Sequence, residues 1–250
     1  SNMETSYYSK ILKLVINGCK YFSETPNIII NNSVVGMNFH NSIGFKNNNI
    51  VIFNGIDTKK FSLNNQFRNQ FRNQFNIAKD AKVLLCVGRV DPMKDHDTLL
   101  EAFKKIKKKF SSSVLILAGL GTENINKTNG LISLGDCQYI DHVYSACDII
   151  ISSSAFGEGF SNALAEGMSS SLIPIATDVG DAKHIVGNTG KIINPKNVIE
   201  LYNAIKDLLE LDEQNFFANK ILAKNRINKN FNQLKMLNSY DEIYNKLLEE

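Results

Sequence analysis

Two basic side chains in a short polar loop are the first candidates for chemistry in this sequence. Arg89 and Lys94 belong to the loop Gly88–Lys94, which lies between an apolar run and a segment with helical periodicity. The amino end of a helix carries partial positive charge and free N–H groups, which favour anions. Together the two cations would suit a diphosphate, although either one alone is also an ordinary surface charge.

Two glutamates offer a different kind of chemistry. Glu158 lies in a glycine-rich loop, and Glu166 lies two turns into the helix predicted after it. An ionised carboxylate only accepts hydrogen bonds, so Glu166 could hold the vicinal hydroxyls of a ribose. Backbone amides at the start of that helix could bind a phosphate or a sugar hydroxyl. Acidic residues are also common in first turns of helices because of the dipole, so both interpretations stay open. The amides are those of Gly159, Phe160, Ser161 and Asn162.

Other chemistry-bearing residues point to simpler roles. Asp95-His96-Asp97 resembles an acidic metal-binding pattern, but helix capping already explains acidic residues at this place. The 4 histidines and 4 cysteines show no metal-ligand spacing, so we predict no metal and free thiols. Gly119-Leu120-Gly121 is a weak glycine signal, more often a tight turn than a phosphate cradle. The lysines of 104–109 are interpreted as a solvated helix end.

The elements that must position these residues follow from the changing period of apolar residues. Short β-branched runs alternate with helical patterns, which predicts βα units and a parallel sheet with helices on both faces, a Rossmann-like α/β fold. Loops after parallel strands meet at one edge, so the candidate loops should lie together. Predicted strands are Val83–Val87, Val114–Ala118, Asp148–Ser152, Leu172–Ala176 and Lys191–Ile193, and predicted helices are Thr98–Phe110, Ser161–Ser169 and Val198–Leu209.

Further elements are predicted on both sides of this unit. Before it come a helix over about residues 7–22 and strands at Asn27–Ile30 and Asn49–Phe53. The near repeat Gln66–Phe75 is interpreted as helix or loop surface. Two polar helices follow, at 212–230 and 233–250, and the apolar residues of the last recur at helical spacing. That stripe needs a partner, which predicts a dimer or a partner chain.

Composition excludes several classes of protein. The chain has 250 residues, 43% of them hydrophobic, which is enough for a sizeable core. A formal net charge of +3 is too small to indicate a nucleic-acid-binding protein. The longest apolar runs fall far short of the ~20 residues that a membrane helix needs. No signal-peptide pattern is evident, which favours a cytoplasmic protein.

Taken in order, the motifs resemble those of the retaining nucleotide-sugar glycosyltransferases of family four, which have the GT-B fold of two facing Rossmann-like domains. The likeness covers about residues 27–210 and rests on order as well as content. The motifs are Asn54-Gly55-Ile56-Asp57 with Phe61, Gly88-Arg89, Lys94-Asp95, Gly119-x-Gly121, Leu134-Gly135, Ala146-Cys147-Asp148, Glu158 to Asn162, Glu166 and Thr177-Asp178-Val179-Gly180-Asp181.

This resemblance implies roles by position. Arg89 and Lys94 would neutralise the donor diphosphate as it leaves, and Glu158 would contact the transferred sugar, which makes these three the implied catalytic residues. Glu166 would hold the ribose. Such enzymes generally need no metal, and the donor would be a sugar linked to UDP, GDP or ADP, with the base unresolved. Donor contacts are further implied for Gly88, Gly119, Gly121, Leu134, Gly135, Gly159, Phe160, Ser161 and Asn162.

The sequence departs from the family in length. We predict a remnant of the amino-terminal acceptor domain with its connector at 1–56, a donor-binding domain at 57–232 and a crossing helix at 233–250. The acceptor half is then missing, as in a shortened gene, a split enzyme or a fragment. The segment between Gly121 and Gly135 lacks an expected helix, Ser171 stands in place of a usual glycine, and His184 replaces a frequent glutamate.

The leading hypothesis is therefore the donor-binding half of a glycosyltransferase of surface polysaccharide or glycolipid synthesis. Its expected partners are a nucleotide-sugar, an amino-terminal-domain chain or a second copy, no nucleic acid, and a membrane surface reached through the acceptor. The alternative is a truncated, non-catalytic module that binds a nucleotide or serves as an interaction surface. An epimerase of the same architecture fits the ordered motifs less well.

Overall fold

The computed structural model describes residues 10–46 and 48–249. Eight strands and ten helices are assigned within these ranges. The strands are β1 (Ile28–Asn31), β2 (Asn48–Val51), β3 (Val83–Val87), β4 (Val114–Ala118), β5 (Leu131–Ser133), β6 (Ile149–Ser152), β7 (Ile173–Thr177) and β8 (Lys191–Ile193). The helices are α1 (Lys10–Tyr21), α2 (Val34–Ser42), α3 (Asn65–Gln74), α4 (His96–Lys109), α5 (Ile140–Ala146), α6 (Asn162–Ser169), α7 (Ala182–Val186), α8 (Val198–Leu209), α9 (Glu213–Asn230) and α10 (Gln233–Glu249).

Six of the strands form one parallel sheet in the order β5-β4-β3-β6-β7-β8. The chain moves outward from β3 to β5 and then returns to the other side of β3 with β6. This reversal is the topological switch point of a doubly wound sheet, where a crevice opens beyond the carboxyl ends of the strands. The predicted Rossmann-like parallel sheet is confirmed.

Helices cover both faces of this sheet, as the sequence predicts. Along β3, Val83 and Leu85 contribute to one apolar core and Leu84 and Cys86 to the other, because successive side chains of a strand point to opposite faces. All four are buried, as is usual for parallel strands enclosed on two sides. Residues of α4 and α8 belong to the second core, and residues of α3, α5, α6 and α9 belong to the first.

The amino-terminal segment contains a second, two-stranded sheet. Strands β1 and β2 pair in parallel, and α2 connects them. The Asp181 carboxylate, which belongs to the loop after β7, accepts hydrogen bonds from the backbone N–H groups of Val34 (2.7 Å) and Val35 (3.0 Å). Ser33 caps the same helix end by accepting from Gly36 N at 3.0 Å. The larger unit therefore satisfies part of the amino end of α2.

Two helices at the ends of the described chain present apolar side chains to solvent. In α1, Ile11 and Leu14 are 75% and 73% exposed, and in α10, Leu234 and Leu248 are 67% and 84% exposed. Neither helix contains a buried residue. Among the described residues, no helix combines the length and apolar character needed to cross a membrane.

The interpretation of Gln66–Phe75 as helix or loop surface is wrong for part of the segment. It forms α3, and Phe71 and Arg72 are buried. Phe71 contributes to the core, while Arg72 turns inward to meet a buried carboxylate. Helix α2, strand β5 and helix α5 were not predicted, because each is short and lacks a clear apolar period.

That buried carboxylate is Asp148, at the amino end of β6. It lies 2.9 Å from Arg68 Nη2, 2.8 Å from Arg72 Nη2 and 3.1 Å from Lys220 Nζ, and it accepts from Val83 N at 3.0 Å. Burial alone would raise the pKa of Asp148, but the three cations outweigh it and lower that pKa. The cluster ties α3 and α9 to the sheet at the edge opposite the candidate loops.

Ser171, in the turn between α6 and β7, has a left-handed backbone with φ 68°. We expect Ser171→Gly to raise the free energy of unfolding by about 0.5–1 kcal/mol. This conformation costs an L residue about 1–2 kcal/mol, and the entropy of glycine in the unfolded chain offsets only part of that gain. Urea denaturation of the variant measures the change.

Ser170→Gly is the matched control, since the neighbouring residue has φ −78°. There glycine relieves no backbone strain and should leave stability unchanged or lower it. Equal effects of the two variants would contradict the explanation from backbone conformation.

Candidate active site

The loops after β3 and β4 touch at the carboxyl edge of the sheet. Gly88 N donates to Ala118 O and Val90 N donates to Leu120 O, both at 2.8 Å. Gly119 has φ 136°, and a Cβ built there would lie 2.4 Å from Gly88 O. Only glycine fits this approach, so the weak glycine signal in the sequence marks a contact between two loops.

Leu134 and Gly135 complete this side of the edge. Leu134 N donates to Leu117 O at 2.9 Å, and Gly135 N donates to Thr122 Oγ1 at 3.0 Å. Gly135 O in turn accepts from Gly119 N at 2.7 Å. The N–H groups of these two residues are thus bonded within the protein, where they hold the loops together. Gly121, with φ 89°, lies against Val90 in the same arrangement.

Lys94 and Glu158 meet across the switch point. Lys94 Nζ lies 2.5 Å from Glu158 Oε1, and Ser154 Oγ donates to the same oxygen at 2.6 Å. Their side chains are 19% and 11% exposed, so the ion pair is largely buried. The Lys94 stem passes over Gly88, where a Cβ would contact it at 3.2 Å. Ala155 N also donates to Met93 O at 2.8 Å and Ser153 Oγ to Lys94 O at 2.9 Å, so the ion pair is one of three contacts that join the β3 loop to the β6 loop.

Arg89 has a different partner. Its Nη2 and Nε each lie 3.2 Å from Asp91 Oδ2, and its side chain is 60% exposed. A hydrogen bond from the Met93 backbone lowers the pKa of Asp91, and Arg89 lowers it further, so Asp91 is a firm anionic partner. The two predicted phosphate ligands, Arg89 and Lys94, are each paired with a separate carboxylate.

Glu166 lies on α6 beside a fully buried tyrosine. The Tyr144 hydroxyl is 3.0 Å from Glu166 Oε2 and 3.1 Å from Ala163 O. Burial raises the pKa of Glu166, although Tyr144 and the charge of Lys60 act in the opposite direction. Burial also raises the pKa of Tyr144, so its hydroxyl stays protonated and donates. This contact occupies one carboxylate oxygen and fixes the side chain while the second oxygen can accept from a ligand.

The loop from Glu158 to Asn162 faces the amino-terminal segment. A Cβ on Gly159 would lie 3.1 Å from Ser33 Oγ, and Asn162 Oδ1 accepts from Asn54 Nδ2 at 2.9 Å. The Phe160 ring is buried, with centroids 5.9 Å from Phe53 and 5.4 Å from Phe231. Only the backbone of Phe160 can face a ligand. Ser161 is buried as the residue before α6, and its side chain makes no capping bond.

Several residues at this edge were not found from the sequence. Ser154 and Tyr144 support the two glutamates, and Lys60 adds charge near Glu166. Asp181 belongs to a motif named from the sequence, but its bonds to the start of α2 were not predicted. Ser154 stands four residues before Glu158, a spacing that could have suggested the contact. Tyr144 is 22 residues from Glu166 and carried no local signal.

No three His, Cys, Asp or Glu side chains within residues 10–46 and 48–249 are grouped to hold a metal ion. Asp95, considered above in an acidic pattern, caps α4 by accepting from Thr98 N at 3.3 Å and Thr98 Oγ1 at 2.7 Å. Capping therefore explains that aspartate.

The sheet order and its crevice define a doubly wound α/β protein with polar loops at the switch point. Residues 67–220, more than half of the chain, match the family model described as "Glycosyl transferases group 1". The chain belongs to this family, family four of the GT-B glycosyltransferases.

The chain matches two curated relatives over only part of their length. Over 174 residues the chain is 28% identical to N-acetylgalactosamine-N,N'-diacetylbacillosaminyl-diphospho-undecaprenol 4-alpha-N-acetylgalactosaminyltransferase of Campylobacter jejuni, covering 64% of this chain and 46% of that protein. It is 26% identical over 215 residues to an uncharacterized glycosyltransferase of Methanocaldococcus jannaschii, covering 79% of this chain and 53% of that protein. The chain spans about half the length of the curated relatives it matches.

Solved structures share the fold at low sequence identity. HepE of Anabaena in complex with UDP and glucose superposes with a TM-score of 0.85 at 20% identity, over 98% of this chain and 69% of that one. A glycosyltransferase of Rickettsia africae gives 0.81 at 22% identity, over 94% and 68%. These similarities establish the GT-B type of fold.

Proposed function

We propose that this chain supplies the donor-binding half of a glycosyltransferase that moves a sugar from a nucleoside-diphosphate sugar to a glycan or lipid-linked acceptor. The observation that carries the proposal is the Lys94–Glu158 ion pair at the switch point, because it places one cation and one carboxylate where a ligand enters the crevice. The solved structure of HepE with UDP-glucose supports a nucleotide-sugar as donor. The base, the sugar and the retaining outcome belong to the proposal.

In this proposal the donor diphosphate competes with Glu158 for Lys94. As the bond from the anomeric carbon to the diphosphate breaks, negative charge grows on the departing phosphate, and Lys94 stabilises it. Arg89, exposed on the same loop, adds charge once it turns from Asp91. Glu158 is then available to the transferred sugar together with the amides of Gly159 to Asn162. Preorganised charge in a half-buried site acts more strongly than it would in water.

We also propose the domain organisation given by the sequence, with donor binding in 57–232, acceptor-domain elements in 1–56 and a crossing helix in 233–250. The exposed apolar residues of α1 and α10 support a covering partner, either an acceptor-domain chain or a second copy. The name of the Campylobacter relative contains a diphospho-undecaprenol group, which supports a lipid-linked acceptor, and surface polysaccharide synthesis is part of the proposal. Cytoplasmic location and contact with a membrane through the acceptor complete the proposal.

Calorimetric titration of the chain with UDP, GDP and ADP tests donor binding directly. We expect one of the three to bind, and the corresponding sugar nucleotides then identify the sugar. Failure of all three would overturn the proposed function. The short connection between β4 and β5 favours a second candidate, a non-catalytic nucleotide-binding module, which would bind a nucleotide without transferring sugar when an acceptor half is supplied.

Glu166→Ala is expected to weaken nucleotide binding while leaving inorganic pyrophosphate binding unchanged, because pyrophosphate has no ribose. In the wild type, the advantage of the nucleotide over pyrophosphate should fall on acidification. Because the pKa of Glu166 is raised above 4.5, this loss should begin at a higher pH than for an ordinary glutamate. Titrations with both ligands across pH measure it. Equal losses for the two ligands in Glu166→Ala would point to misfolding.

A further inference from the structure

The connection between β4 and β5 leaves a groove beside α4. Parallel strands are usually joined through a helix, but residues 119–130 contain a single 3₁₀ turn at Thr122–Asn124. The resulting groove has a volume of ≈ 850 Å³, and its apolar lining includes Leu100, Phe103 and Ile125. Leu100 and Ile125 are only half-buried. Apolar surface that a helix would normally cover is thus open to solvent.

Five charged residues of α4 line this groove. Lys107 donates to the backbone oxygens of Ser111 and Ser113, and the other four form one stripe. Asp97, Glu101, Lys104 and Lys108 follow one another at spacings of four, three and four, which places them on one side of a helix. All four are exposed and border the groove. Within the part of the chain that the structure describes, none of them forms an ion pair. The stripe is acidic at its start and basic at its end.

The order of charges suits the helix dipole, and Glu101 and Lys104 are opposite charges three residues apart, but the stripe also contains two like-charge pairs. Asp97 and Glu101 are like charges four residues apart, and so are Lys104 and Lys108, an arrangement that destabilises a helix. It becomes favourable against an antiparallel copy of itself. There Asp97 would face Lys108 of the partner subunit, and Glu101 would face Lys104 of the partner subunit. A twofold axis between Glu101 and Lys104 repeats both pairs, so the stripe is complementary to itself.

We propose that two copies of this chain associate through α4, with the two helices antiparallel and the charged stripes in contact. The contact would cover the half-buried Leu100 and Ile125 of each copy and would neutralise both like-charge pairs. A second copy satisfies the charge pattern of the stripe at both ends, whereas a uniformly acidic or basic partner would oppose one half of it. This dimer does not depend on nucleotide binding.

Sedimentation velocity of the full chain over a concentration series tests the proposal. The wild type is expected to dimerise, more weakly at high salt because the stripe is exposed. Glu101→Lys and Lys104→Glu should each raise the dissociation constant by about tenfold or more, since each change turns two attractive contacts into repulsive ones. An equimolar mixture of the two variants should recover the wild-type dimer, because opposite charges then face each other again.

Leu237→Asp tests the other arrangement, in which a second copy covers the exposed face of α10. A dimer through α4 should keep its dissociation constant in this variant, and a raised dissociation constant would contradict that dimer. Circular dichroism and thermal melting verify that each variant is folded. A wild type that stays monomeric throughout the series would overturn the proposal. So would charge variants that dimerise like the wild type, or a mixture that fails to recover what the single variants lose.

Discussion

Asp148→Ala is expected to lower the free energy of unfolding by about 3–5 kcal/mol. The substitution removes the carboxylate that neutralises three neighbouring cations, Arg68, Arg72 and Lys220. Arg72 and Asp148 are each 5% exposed at the side chain, so bulk solvent screens the remaining cations poorly. Urea denaturation at neutral pH measures the loss. The two helices tied to the sheet by this carboxylate, α3 and α9, should lose protection from hydrogen exchange first.

Asp207→Ala is the matched control, because Asp207 is half exposed and lies 3.4 Å from Lys191. It should change stability by less than about 1 kcal/mol. The Asp148 contribution also has a pH signature. Its folded pKa lies below 3.8, so the stabilisation is present at neutral pH and is lost as pH falls below that value. Equal effects of the two substitutions would show that the cluster does not stabilise the fold.

Lys94→Ala is expected to weaken binding of the nucleoside diphosphate by about 1.5–3 kcal/mol, the scale of a hydrogen bond to a charged group. Glu158→Gln should act in the opposite direction on the bare diphosphate, since Lys94 no longer shares its charge with a carboxylate 2.5 Å away. The same change should lower sugar transfer, for which Glu158 is proposed. Calorimetry with the diphosphate that binds, and a transfer assay with an acceptor half, measure the two effects.

Lys105→Ala on the exposed surface of α4 serves as the control and should leave affinity unchanged. Arg89→Ala should weaken binding in the same direction as Lys94→Ala, because its cation is proposed to leave Asp91 for the phosphate. If neither substitution changes affinity, the phosphate site is elsewhere. Glu158→Gln could instead weaken binding of the bare diphosphate, as Lys94→Ala is expected to do. That result would mean that Glu158 orients Lys94 and does not compete with the ligand for it.

The sequence predicts those parts of the fold whose signal is local. Strands Val83–Val87 and Val114–Ala118 and helix Val198–Leu209 have the predicted bounds, because each is a continuous apolar run or a clear helical period. Strand β5 was missed, whereas β8, which also has three residues, was predicted because a clear helical period follows it. Helix α2 has mixed asparagine, glycine and valine, and its amino end depends on Asp181, which no local pattern reveals.

The supporting contacts of the candidate site are the least predictable. Lys94 and Glu158 are 64 residues apart, and only the order of strands in the sheet brings them together. The same holds for Asp148 and its three cations, which lie 72 to 80 residues away along the chain. Arg68 and Arg72 lie in a near repeat that was interpreted as surface. The repeat itself does not indicate which face of the helix is buried. The phosphate, ribose and sugar roles stay predictions.

The hydrogen bonds between Asp181 and the start of α2 also bear on how the chain acquires its structure during synthesis. Asp181 follows Val34 by 147 residues, so this cap does not exist when α2 leaves the ribosome. At a synthesis rate of about 5–20 residues per second, Asp181 is added some seven to thirty seconds after Val34. The interval is longer for Ile56, because its β-bridge partner is Asn232. The segment that contains α2 and Ile56 therefore completes these contacts only after residues far along the chain have been made.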